Sequence, residues 1–157
     1  MIIDFRRKDV TPLPPLMIGG SIVEQVSSFK FLGTFVNNTL TWNTHCHSIL
    51  MKAKQRLYFL RKLKSFGVNK DILLTFYRAI VESVLTQAII VWFDRATQAD
   101  LNKLSSVVRS AERIIGLNIT PLCSLYQQRM MRKVDMIMKD VHHPAHKYFE
   151  FLPHGIR

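Results

Sequence analysis

Cysteine is nearly absent: Cys46 and Cys123 are the two thiols among 157 residues. That excludes a disulfide framework and fits a reducing, intracellular compartment, cytoplasm or nucleus. Carboxylates are scarce as well, with 11 Asp and Glu against 22 Lys and Arg, for a formal net charge of +11. No apolar run approaches the roughly 20 residues that a bilayer demands. The longest, "SVLTQAIIVWF" at 83–93, has 11 uncharged residues and stops at Asp94, so no membrane partner is expected. "MIIDFRRK" is charged by its fourth residue, unlike a signal peptide. Catalytic signatures are missing too. There is no Gly-x-Ser-x-Gly elbow for a nucleophile, and no Cys-x-x-Cys or His-x-x-x-His finds a second half at ligand spacing. Thus His45, Cys46, His47, Cys123, His142, His143 and His146 are expected to be scattered, and neither metal nor cofactor is assigned.

What is present is unevenly placed. Between Glu24 and Asp71 lie 46 residues without a carboxylate, yet with Lys30, Lys52, Lys54, Arg56, Arg61, Lys62, Lys64 and Lys70. A solvated face normally mixes signs, because unlike charges support one another and like charges repel. A one-sign ridge suits a polyanion, since every phosphate neutralised releases condensed counterions. RNA or DNA is therefore the expected partner.

The hydrophobic pattern points to an α+β chain, mainly α: a small antiparallel sheet over about residues 1–36, then a bundle of four or five helices. Two segments follow from that, 1–40 and 41–157. "MIIDF" reads as a strand, "TPLPP" at 11–15 as a stiff loop, and "PLMI" with Gly19-Gly20 and "SIVEQV" as a hairpin. "FKFLGTFV" reads as a strand with Phe29, Phe31, Gly33 and Phe35 on one face. From Asn43 to about Phe66 the apolar residues recur at helical spacing, with Gly67 as the stop. A second helix, from Asn69 as N-cap to about Trp92, is apolar around most of its circumference and is expected to be the buried centre. The third begins with Thr97 and Asp100 as a capping pair and ends at Gly116. The fourth starts with Thr120 as cap and Pro121 in its first turn, and one further turn is expected in the tail. Met130, Met131, Met136 and Met138 on that fourth helix suit a deformable core or a subunit contact.

In order, "FKFLG", "LTW" with His45, "KAKQRLYFLRKLKSFGV", "ILLTFYRAIVESVLTQAIIVWF", "RSAERIIG" and "HPAHKYFEFLP" resemble the later part of a LINE-type non-LTR retrotransposon reverse transcriptase. The resemblance implies that residues 1–40 are the end of the palm with its primer grip, and that 41–157 form the thumb. By that likeness Phe31, Leu32 and Gly33 would grip a primer end, while Lys52, Lys54, Arg56, Arg61 and Lys62 would face the backbone of a template–primer duplex. Such polymerases need two adjacent aspartates to hold divalent ions. This chain has none, since its seven aspartates stand singly. The expectation is a non-catalytic fragment that begins downstream of the active site, is no enzyme by itself, and self-associates through apolar sheet surface that has lost its cover.

The helical stretch also resembles the segment known as the N-terminal domain of alkB homologue eight, a tRNA-modifying oxygenase and methyltransferase. An oxygenase of that type binds iron through two His and an acid, usually starting His-x-Asp; "HCH" at 45–47 lacks the acid. Methyl transfer would need a glycine-rich strand-to-helix turn. The resemblance therefore implies an accessory module without that chemistry.

Overall fold

The computed structural model describes residues 1–5 and 14–149. The chain is mainly helical, with two small antiparallel sheets of two strands each ahead of the helices. β1 (Met17–Ile18) pairs with β2 (Ser21–Ile22) across Gly19-Gly20, both at positive φ, as a two-residue hairpin requires. Residues 1–5 adopt no regular structure, so the strand expected at "MIIDF" does not form. Part of the expected loop at 11–15 and the last eight residues lie outside the described residues.

"FKFLGTFV" is a hairpin and not the single strand expected. β3 (Ser28–Phe31) turns at Leu32-Gly33 into β4 (Thr34–Asn37). Leu32 at φ 46° and Gly33 at φ 83° supply the two left-handed residues of a tight turn. The turn changes which residues share a face. Phe29 pairs with Val36 and Phe31 with Thr34, whereas Phe35 pairs with Lys30 on the opposite face, its ring 5.6 Å from the Lys30 ammonium. Phe35 is thus separated from Phe29 and Phe31.

α1 (Asn43–Ser65) follows the predicted span, and Gly67 at φ 74° ends it. The next segment departs from a single helix. α2 (Lys70–Phe76), capped by the Asn69 side chain, passes into a π-helical stretch (Tyr77–Glu82) and α3 (Ser83–Leu85). The backbone then breaks at Thr86–Ala88, with Ala88 at φ 48°, before α4 (Ile89–Trp92) and a 3₁₀ turn (Phe93–Arg95). By length and composition alone, Lys70–Arg95 is apolar enough to cross a bilayer, which the run ending at Asp94 did not suggest. It nevertheless carries Asp71, Arg78 and Glu82, and about a third of its most apolar window is buried.

α5 (Gln98–Ile115) starts as expected: the Thr97 hydroxyl accepts from the Asp100 N–H at 3.2 Å and donates to its carboxylate at 2.8 Å. Gly116 in the left-handed region closes it. α6 (Leu122–Lys139) has Pro121 at its cap and no side-chain cap, so Thr120 does not play the expected part. A last 3₁₀ turn covers His146–Tyr148. The centre is α1, which packs on α5 along one side and on α2 through α3 on the other, so the second helix is a flank and not the expected middle. Leu60, Leu73, Tyr77, Leu85, Trp92 and Leu104 form the fully enclosed core between them. On α6, Leu122 and Ile137 are buried whereas Met130, Met131 and Met136 are exposed.

Candidate nucleic-acid interface

The cations of α1 do not form one ridge. A helix turns 100° per residue, so Lys52 and Arg56, four apart, share one flank, while Lys54 and Arg61, seven apart, share the other. Lys54 and Arg61 border a shallow cleft with Ser106, Val107 and Ser110 of α5. Arg56 and Lys62 border a second cleft of about 520 Å³ whose walls include Phe59 and Leu63 of α1, Phe66 just beyond it, and Phe76 and Ile80 across it. The Arg56 guanidinium is partly committed, donating to the Ile80 carbonyl at 2.5 Å. Among the described residues, no carboxylate lies in ion-pairing distance of Lys52, Lys54, Arg61 or Lys62; Lys103 and Asp100 of α5 pair with each other at 3.6 Å.

Phe31, Leu32 and Gly33 sit elsewhere, at the break in the second helical segment. The Gln87 amide donates to the Leu32 carbonyl at 2.8 Å, and a Cβ at position 33 would collide with the same side chain. The close approach expected of a glycine here is therefore made by Gln87. Phe31 and Leu32 remain solvent-facing. β4 is also tied to the start of α1: the Phe35 N–H donates to Nδ1 of His45 at 3.4 Å. His45 is buried edge-on between Trp42 and Trp92. Burial, with the Lys52 charge second, holds its imidazole below the ordinary histidine range. Burial likewise pushes the neighbouring Cys46 thiol up to about 11, which makes it an inert core residue.

The break itself is held by two side-chain donors. Arg129 of α6 donates to the Thr86 carbonyl at 2.6 Å and to its hydroxyl at 2.8 Å. Trp92 Nε1 donates to the Gln87 carbonyl at 2.8 Å. Half-buried Glu82 lies nearby, its carboxyl raised by burial although Arg78 and Arg129 oppose that rise. Thr86, Gln87 and Arg129 escaped sequence reasoning because nothing in "TQA" announces a break. The aromatic residues off the apolar seam of α1 were also missed. Tyr58, Phe59 and Phe66 are all more than half exposed. Their signal was legible: three rings on the charged side of a helix have no core to fill.

Residues 42–83 match the family model described as "Alkylated DNA repair protein alkB homolog 8, N-terminal". The match, 42 of 157 residues, spans α1, α2 and the π-helical stretch and ends on the first residue of α3. No curated protein and no solved structure matches the chain.

Proposed function

We propose that this chain is a non-catalytic accessory module of the kind found at the N-terminus of alkB homolog 8, which holds an RNA or DNA backbone on the cations of α1. One observation carries the reading. The segment with the family likeness is the same one that runs from the cation-rich, acid-free α1 into the helix packed beside it. Lys52, Lys54, Arg61 and Lys62, with no described carboxylate to neutralise them, are available to phosphates. The module has no assigned chemistry of its own, and any reaction on the nucleic acid would belong to a separate catalytic domain.

A filter-binding titration against salt tests this. A strand contacting the two cations of one flank should show log affinity falling with log salt at a slope of about −1.5, from roughly 0.7 to 0.9 per phosphate. Replacing Lys52, Lys54, Arg61 and Lys62 with Gln should flatten it. Binding that ignores salt, or a slope that survives the four replacements, would overturn the reading.

A second reading is the retrotransposon one, in which this is the grip and thumb end of a polymerase. It rests on the order of the sequence pieces, and the space at Gly33 that a primer end would need is taken by Gln87. The comparisons add nothing to it. An in-frame or decayed polymerase core with paired aspartates, encoded directly upstream of Met1, would decide for it; unrelated sequence there would decide against.

A further inference from the structure

The cleft bordered by Arg56 and Lys62 has a chemistry that duplex tracking does not need. Phe59 is 51% and Phe66 78% exposed, and beside them Tyr58 is 53% exposed. Tyr58 and Phe59 meet edge to face at 5.6 Å, and the Lys62 ammonium lies 5.8 Å from the Tyr58 ring. Rings and cations therefore alternate along the outer side of α1. Burying an exposed aromatic ring would favour any occupant, so the cations decide which one. With Arg56 and Lys62 beside the rings and no carboxylate on α1, an occupant must be flat and apolar at the centre and anionic at its edge. Unpaired bases on a phosphodiester strand have that character. In a duplex the base faces are stacked on one another and cannot reach these rings.

We infer that the α1–α2 cleft is a stacking platform for single-stranded nucleic acid, with bases on Phe59 and Phe66 and flanking phosphates on Arg56 and Lys62, the two cations that border it. Phe59 and Phe66 are seven residues apart, which at 1.5 Å per residue is about 10 Å, room for roughly three stacked bases. Because the contact is to base faces, it accepts ribose or deoxyribose strands and has little sequence preference. This inference rests on the proposed role of α1 in backbone binding, but adds a requirement for bases that backbone binding lacks.

The test uses the full chain and four fluorescein-labelled probes: 12-residue oligoadenylate, its deoxy counterpart, an abasic sugar–phosphate strand of equal charge, and a 12-base-pair duplex. Both adenylate strands should bind about tenfold or more tighter than the abasic strand at equal salt. Phe59→Leu and Phe66→Leu keep an apolar side chain at exposed positions, so the fold should survive, as circular dichroism would check. Each should weaken adenylate binding about fivefold or more, while the abasic affinity and the salt slope stay unchanged. Equal binding of adenylate and abasic strands, or a preference for the duplex, would overturn the platform and leave backbone binding standing. Salt-dependent binding to none of the four probes would overturn both. Should the leucine variants match the wild type on adenylate, the rings do not hold the bases and the inference fails.

Discussion

At the scale of single residues, His45 has the most to say about conditions. Its Nδ1 accepts the Phe35 N–H, so the proton of the neutral ring must sit on Nε2, which has no hydrogen-bond partner among the described residues. Protonating Nδ1 would break the tie between β4 and α1 and place a charge in a fully enclosed site near Lys52. In the unfolded chain the same imidazole takes up a proton near pH 6.5. Because its folded value is depressed, stability is complete above about pH 6.5 and is lost as pH falls below it toward the folded value. One such group gives a slope of at most about 1.4 kcal/mol per pH unit. Urea midpoints at pH 7 and pH 5 should therefore diverge for the native chain and converge substantially for His45→Leu. Equal divergence in both proteins would show that His45 is not the group responsible.

At the scale of elements, the decisive feature is the interruption at Thr86–Ala88. An apolar helical segment stops there without proline or glycine. Stopping it frees carbonyls from the helical ladder: that of Thr86 accepts the Ile89 N–H at 3.3 Å and the Arg129 guanidinium, and that of Gln87 accepts the Trp92 indole. Arg129 reaches Thr86 with two nitrogens of its fork, a geometry that lysine cannot reproduce. Arg129→Met should cost about 1–3 kcal/mol, the range for stranding groups that a charged donor had satisfied, and Arg129→Lys should recover little of it. Urea midpoints check this, and a wild-type midpoint in Arg129→Met would mean the break stands without its clamp. The same feature marks where the sequence stops being readable. The starts and stops of α1 and α5 could be read because their signals are local: helical spacing, the Thr97–Asp100 cap, and Gly67 and Gly116. The break depends on an arginine 43 residues away, which no window around Thr86 contains. The hairpin was half legible. Gly33 was flagged, but its role as a turn needed Leu32 in an equally left-handed conformation, which leucine rarely adopts and no pattern announces. For the interface, the cations could be counted in advance. Their division between two flanks follows from helical spacing, as does the place of Phe59 off the apolar seam, whereas the clefts that these residues border needed the positions of α2 and α5.

At the scale of the whole molecule, two surface properties oppose each other. The two hairpins expose Met17, Ile18, Ile22, Phe29, Phe31 and Leu32, each more than half accessible, on strands too short to shield one another. Apolar surface gathered in this way favours self-association. The formal charge of +11 resists it, since two copies approaching each other must bring like charges together. Salt decides between them, because screening shortens the repulsion to about 10 Å at 0.1 M and leaves apolar contact intact. The average mass in sedimentation equilibrium should therefore rise as salt increases, opposite in sign to the salt-driven loss expected for a nucleic-acid strand on α1. Phe29→Ser with Phe31→Ser should hold the protein monomeric across the same range without altering α1. A native chain that remains monomeric in high salt would mean that the hairpin faces do not drive association, and an association that weakens with salt would assign it to charge pairing instead.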